Sequence, residues 1–307
     1  MSQTQNAHFA TLWEEIADLE HTLRYVDAGG CRTRVLDIAG AGQDAQTVVL
    51  ASGTSGHIEA WTQNVRAFAE AGFRVVGYDY PGHGYTALAD HPLEIRDYEE
   101  HLLTLLDALA LDRVHLAGES LGGWLALKFA PKHPERLRSV ILSAPGGRVI
   151  GEPQLDRTQS VSAQAVSEPT FENVRKRLQV VIHDPGNITD ELVHVRRAIY
   201  SREGFSMANV SALREPERRW RNRVTDEDFA AVPVPALMVW TDNEPTGDEA
   251  EGRAPVRPDP GRRVPAGPRC RALAAVGGGR RVQRRGGRLP PQARGTGSRA
   301  CLKRGPE

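Results

Sequence analysis

The feature that most constrains the fold is a serine between two glycines, at the junction of a predicted strand and a predicted helix. Residues 113–130 read RVHLAGESLGGWLALKFA. The first part is a short apolar strand, and apolar residues at helical spacing after Ser120 predict a helix over residues 121–137. Gly118 to Gly122 match the pattern Gly-x-Ser-x-Gly, which exposes a serine hydroxyl on a sharp turn above a sheet. Because side chains at the glycine positions would collide with neighbouring backbone, we predict that both glycines are structurally required.

Strands and helices alternate along the chain around this serine. Residues 46–53 and 73–80 have the apolar, β-branched composition of buried strands, and residues 97–111 have the spacing of a helix. Gly29 and Gly30 predict a hairpin near the start. Alternation of this kind predicts an α/β fold, a mostly parallel sheet with helices on both faces.

The pattern divides the chain into four segments. Residues 1–150 are predicted to form the first part of the α/β core. Residues 151–230 are polar and helix-compatible, and we expect a helical cap or lid that covers an edge of the sheet. Residues 231–250 return to an apolar strand followed by acids. Residues 251–307 are rich in Arg, Gly and Pro and lack apolar periodicity, which predicts an irregular or disordered tail.

The composition favours a small-molecule substrate. The 307 residues have a formal net charge of zero, so charge gives no reason to expect nucleic acid or a membrane surface as a partner. No secretory signal or membrane-spanning apolar run is recognised, and we expect a cytoplasmic protein. Three cysteines without ligand spacing predict no metal site. A homo-oligomer is compatible with this interpretation.

Over about residues 20–250 these motifs resemble the α/β-hydrolase fold family. The resemblance implies that Ser120 is a nucleophile. It also implies that the backbone N–H groups of Leu121 and Thr54 stabilise the oxyanion, with Ser55 as the alternative to Thr54. No metal or organic cofactor is expected for this chemistry.

The family's chain order requires an acid after the cap and a histidine later still. Glu244 matches the family position of the acid, with Asp242 and Asp248 as alternatives. The histidine is absent, because the last histidine of the chain is His194. We therefore expect this chain to be nearly inactive.

The composition of the tail suggests a shifted reading frame as the cause. With permitted codons, residues 269–278 read one base later as Gly-Ala-Gly-His-Trp-Pro-Gln-Trp-Glu. The histidine then lies across the codons of Ala272 and Leu273. The same frame can restore a strand before this loop and an amphipathic helix after it. We therefore hypothesise a frameshift, with a solvated basic extension as the alternative interpretation.

Residues 180–200 resemble the lid segment of meta-cleavage product hydrolases, which cleave a C–C bond in dienoates from aromatic ring opening. The resemblance implies that Arg196, or Arg197 next to it, holds the dienoate carboxylate, for which the guanidinium fork is well suited. Glu119 stands where that group often has asparagine and belongs to the expected substrate-binding residues. The alternatives are a carboxylesterase or lactonase of the same fold, a non-catalytic small-molecule-binding relative, and a basic-tailed module that binds polyanions.

Overall fold

The centre of the molecule is a seven-stranded sheet. The computed structural model describes residues 11–148 and 152–239, except for the side chains of residues 152–159. The strands are β1 (His21–Ala28), β2 (Cys31–Ile38), β3 (Thr47–Ala51), β4 (Arg74–Tyr78), β5 (Val114–Glu119), β6 (Leu137–Ser143) and β7 (Ala236–Val239). Their order across the sheet is β1-β2-β4-β3-β5-β6-β7. β2 pairs antiparallel with β1 on one side and with β4 on the other. All other neighbouring strands pair parallel. The predicted α/β class is thereby confirmed.

Three helices connect the strands of the core. They are α1 (Thr62–Glu70), α2 (Ile95–Ala108) and α3 (Leu121–Phe129). α1 packs with Val48 and Leu50 on one face of the sheet, whereas α2 and α3 pack with Val49 on the other. All five residues of β3 are buried, because helices cover both faces at the middle of the sheet.

Local sequence determines the hairpin between β1 and β2 and the end of α3. The predicted hairpin is confirmed, since β1 and β2 pair from His21↔Ile38 to Ala28↔Cys31. α3 ends at Phe129, earlier than the apolar spacing predicts. Pro131 follows closely, and because proline has no N–H it cannot continue the helical hydrogen-bond pattern.

A helical insertion lies between β6 and β7. Its helices are α4 (Glu152–Ser167), α5 (Phe171–Gln179), α6 (Asp190–Tyr200), α7 (Met207–Val210), α8 (Pro216–Asn222) and α9 (Asp226–Ala230). α5 and α6 share a buried apolar cluster that includes Val174, Leu178 and Leu192. None of the described helices is long and apolar enough to span a membrane.

β7 lies at one end of the described sheet. It pairs only with β6 there, from Val140↔Ala236 to Ser143↔Val239. Leu237 at its centre is 55% exposed, which is high for a strand leucine. The acids Asp242, Glu244 and Asp248, which follow this strand in the sequence, lie outside the described residues.

Candidate active site

Two neighbouring strands bring the predicted nucleophile and the predicted oxyanion loop together. β3 and β5 are parallel, and their register pairs Ala51 with Gly118. The residues that follow these two positions therefore leave the sheet side by side at its carboxyl edge, where ligands bind in open α/β sheets. Thr54 and Ser120 line one cavity as a result.

Ser120 adopts a strained backbone conformation, with φ of 50° and ψ of −107°. Left-handed backbone is unfavourable for residues other than glycine and persists only where the surroundings impose it. The Ser120 N–H donates to the Ser143 carbonyl at 3.0 Å, and the Ser120 carbonyl accepts from Gly146 and Trp124, each at 2.9 Å. These bonds hold the turn between β5 and α3.

The two glycines of the turn permit close backbone contact. A Cβ at Gly118 would lie 2.2 Å from the carbonyl group of Gly122, and a Cβ at Gly122 would lie 2.0 Å from the Ala51 carbonyl oxygen. Neither backbone group can yield without moving α3 or β3. The space for Ser120 thus depends on both glycines, as the motif predicts.

The predicted oxyanion donors lie on either side of this turn. Leu121 is the first residue of α3, where backbone N–H groups have no partner within the helix and the helix dipole is positive. Thr54 faces the same cavity from the loop after β3. The alternative, Ser55, is not among the residues that line the cavity, and its hydroxyl contacts the Tyr200 hydroxyl at 3.2 Å.

A buried ionic network holds the loop after β3 beneath the cavity. Arg34 donates to Glu59 at 2.7 Å and to Asp79 at 3.4 Å. Asp79 also accepts from the Ile58 N–H at 2.8 Å. Burial alone would raise the pKa of Glu59, but His57 and Arg34 lower it to about 2. Sequence patterns did not single out Arg34 or Glu59, because their contacts join distant parts of the chain.

The insertion forms the other wall of the cavity, which has a volume of about 100 Å³. Apolar side chains of the insertion contribute Leu178, Val181, Ile182 and Leu192. The cavity adjoins β3 and β5, which are central in the sheet. The insertion therefore faces the carboxyl edge of the sheet, and α5 and α6 lie opposite the site that β3 and β5 position.

Arg196 lies inside this wall and Arg197 lies outside it. Arg196 is only 6% exposed and lines the cavity, and its Nη1 donates to the Ser55 hydroxyl at 3.3 Å. Arg197 on the next face of α6 is exposed. The structure thus places the first of the two candidate arginines against the cavity.

Tyr200 completes a polar contact between the insertion and the loop after β3. It is one helical turn beyond Arg196, whose Nη1 donates to the Tyr200 hydroxyl at 3.5 Å. Burial opposes ionisation, but Arg196 and Arg177 outweigh it and lower the pKa of Tyr200 below its usual value. Two cationic side chains therefore act on the Tyr200 hydroxyl.

Glu119 is the last residue of β5 and precedes Ser120. Its side chain packs against the backbone of the oxyanion loop, since a Cβ at Gly53 would lie 2.4 Å from Glu119 Oε2. It lines the cavity next to Ser120. A carboxylate therefore adjoins the positions where the resemblance predicts oxyanion donors.

Two cationic side chains of the site were missed by sequence reasoning. Arg177 of α5 is 2% exposed and Arg214 lies between α7 and α8, and both line the cavity. Burial and the nearby Arg177 lower the pKa of Arg214 to about 9. Arginines are common on solvated helix faces, so no sequence signal separated these two from the others.

The base of the predicted triad is not among the described residues. No described histidine lines the cavity or forms a hydrogen bond with Ser120. The positions of Ala272 and Leu273, across which the hypothesised histidine codon lies, are outside the described part of the chain. Within residues 11–148 and 152–239, no group of three or more His, Cys, Asp or Glu side chains is arranged to hold a metal ion.

The sequence is similar to those of known proteins. A family model described as alpha/beta hydrolase fold matches residues 46–179. The chain is 33% identical to 2-hydroxy-6-oxo-2,4-heptadienoate hydrolase of Pseudomonas putida, over 67% of this chain and 72% of that protein. It is 30% identical to 2-hydroxy-6-oxononadienedioate/2-hydroxy-6-oxononatrienedioate hydrolase of Paraburkholderia phymatum, over 71% and 78% of the two chains.

Solved structures of other proteins have a similar fold. A meta-cleavage product hydrolase from Pseudomonas fluorescens superposes with a TM-score of 0.62 at 25% identity, over 75% of this chain and 83% of that one. Naproxen esterase from Bacillus subtilis superposes with a TM-score of 0.65 at 20% identity, over 78% and 81%. The second likeness concerns the fold alone.

Proposed function

The chain belongs to the α/β-hydrolase fold family, and from this premise we propose that it is a serine-type hydrolase of a 2-hydroxy-6-oxo-dienoate produced by aromatic ring opening. The observation that carries the proposal is that Ser120 and the buried Arg196 line one cavity. The nucleophile and the carboxylate-binding cation lie on opposite walls of the cavity. This arrangement fits a substrate that has a carboxylate at one end and a ketone further along its carbon chain. The names of the relatives support the same substrate class.

The reaction adds water across one C–C bond. Arg196 binds the carboxylate of the dienol, which first takes a proton on carbon to become the ketone. The N–H groups of Thr54 and Leu121 then polarise the carbonyl at the bond to be cut. A hydroxide equivalent adds to the carbonyl carbon. The C–C bond breaks, its electron pair delocalises into the leaving fragment as a dienolate, and the dienolate oxygen takes the last proton. The products are a carboxylic acid and a shorter 2-hydroxydienoate.

Proton transfer in this scheme requires a histidine. Oriented by Glu244, or by Asp242 or Asp248, it activates Ser120 or a water molecule. We propose that this histidine is lost from the present chain by a frameshift, and that the codons of Ala272 and Leu273 contain it in the original frame. No step calls for a metal or organic cofactor.

The first experiment compares the present chain with a version in which the tail is translated one base over. Decay of the visible absorbance of a yellow meta-cleavage dienoate measures turnover. We expect the frame-restored chain to be faster by roughly 10³-fold or more, the usual effect of a triad histidine. Ser120→Ala in the frame-restored chain should abolish this gain.

Other outcomes would contradict specific parts of the proposal. Equal turnover by both chains would overturn the account of the missing base. Cleavage of simple aryl esters without turnover of the dienoate would show that the chain is a carboxylesterase instead. Tight dienoate binding without turnover by either chain would favour a non-catalytic small-molecule-binding relative.

A further inference from the structure

Arg177 is a buried cation whose polar atoms are incompletely satisfied. The residue is 2% exposed, and its Nε and Nη1 atoms are buried without a hydrogen-bond partner. Two other arginines have protein partners. Arg34 is paired with Glu59 and Asp79, and Arg202 donates to the carbonyls of Gly84 and Thr86. Arg177 therefore differs from arginines that stabilise the fold through protein partners.

The lining of the cavity concentrates positive charge. Among the described residues that line it, the charged side chains are three arginines and one carboxylate, namely Arg177, Arg196, Arg214 and Glu119. Burial lowers the pKa of Arg177; Arg196 acts in the same direction, and Tyr200 and Glu119 oppose both. A buried cation without adequate compensation is strongly unfavourable, whereas an anionic ligand would relieve that penalty.

Arg177 and Arg196 belong to different helices of the cavity wall. Arg177 lies near the end of α5, and Arg196 lies within α6 next to Ser55 and Tyr200. Arg196 already has hydroxyl partners on its Nη1, but Arg177 has two donors with none. The two guanidinium groups line one cavity from different helices, and Arg177 has donor atoms without a partner there.

We propose that Arg177 forms a second anion subsite, with Arg214 adding positive potential, and that the substrate carries a second carboxylate beyond its reacting ketone. The inference rests on the proposed function and narrows its substrate class to dicarboxylates. Arg196 binds the dienoate carboxylate, and Arg177 binds the carboxylate at the other end. Specificity follows because a neutral end leaves the buried guanidinium unpaired.

The test measures binding, so it needs no catalytic histidine. Isothermal titration of the full present chain uses two dienoates of equal length, one ending in a second carboxylate and the other in a methyl group. We expect the dicarboxylate to bind about tenfold tighter or more, consistent with a charge-assisted hydrogen bond. Arg177→Gln should remove this preference, because it weakens binding of the dicarboxylate more than binding of the methyl-ended probe.

Two further variants separate this role from general charge and from folding. Lys176→Gln removes an exposed cation from the same helix and should retain the preference. Arg177→Lys keeps the charge and should retain part of the preference, even if Arg177→Gln does not fold. Circular dichroism checks the fold of each variant.

The outcomes distinguish this inference from the proposed function. Equal affinity of the wild-type chain for the two probes would overturn the second subsite while leaving a dienoate site intact. If Arg177→Gln lowers the affinity for both probes equally, the cavity has a single shared anion site, and the second subsite is again overturned. If the wild-type chain binds neither probe, the proposed function fails together with the inference.

Discussion

At the residue scale, the stability of the fold depends on buried charged side chains that pair with side chains of opposite charge. Arg34 is 8% exposed at its side chain, and its partners Glu59 and Asp79 are 4% and 0% exposed. Neither carboxylate could remain charged in this environment without nearby donors. Desolvation raises the pKa of Asp79, and Arg34 counteracts that effect. The set also orders the loop that leads to Thr54, so stability and site geometry are linked there.

The substitution Arg34→Met tests this dependence. We expect a loss of about 3–5 kcal/mol in the free energy of unfolding, because two buried carboxylates lose their cation. Arg24→Met is the matched control: Arg24 is exposed, and its partner Asp37 retains Arg74. The control should cost less than about 1 kcal/mol. Similar losses in denaturant unfolding of the two variants would contradict the role of the buried network.

At the element scale, the position of Ser120 depends on how closely α3 approaches the sheet. Gly118 and Gly122 were predicted as structural requirements, and the short distances that an added Cβ would make to backbone explain why. The end of α3 was predicted less well, since apolar spacing continued past Phe129 although Pro131 stops the helix. Apolar periodicity reports burial, whereas helix ends depend on individual hydrogen bonds.

Substitution of Gly122 by alanine tests the packing of α3. Its Cβ would meet the Ala51 carbonyl at 2.0 Å, so α3 and β3 must separate. We expect a stability loss of at least about 2 kcal/mol, in the range of overpacking. Gly42→Ala is the control, because no atom lies within 4 Å of its Cβ position. Equal denaturation midpoints for the two variants would show that the turn has room for a side chain.

At the scale of the whole molecule, stability should depend on pH through buried neutral histidines. Burial lowers the pKa of His83 and of His101 from 6.5 to about 4. Between pH 6.5 and 4 the unfolded chain binds protons at these groups that the folded chain does not. The free energy of unfolding therefore falls as the pH falls through this window, by up to about 1.4 kcal/mol per pH unit for each group.

Denaturant unfolding from pH 6.5 to 4.5 measures this slope. Glu59, with its pKa near 2, contributes its loss of stability mainly below pH 4.5, whereas the raised pKa of Asp79 has the opposite sign. His101→Gln preserves a polar partner for the Thr33 hydroxyl, which contacts His101 Nε2 at 2.8 Å. The variant should show a smaller slope than the wild-type chain. An unchanged slope would assign the pH dependence to other groups.

The sequence by itself determined the α/β class, the hairpin and the turn that carries Ser120. These features depend on local chemistry: β-branched runs, helical spacing and glycines where backbone segments meet. Only the tertiary structure decided which cationic side chains line the same cavity as Ser120. Arg196 faces the cavity and Arg197 does not, and Arg177 and Arg214 reach it from other parts of the insertion. The physical reason is that the packing of α5 and α6 above β3 and β5 depends on contacts between distant residues, which spacing along the chain does not encode.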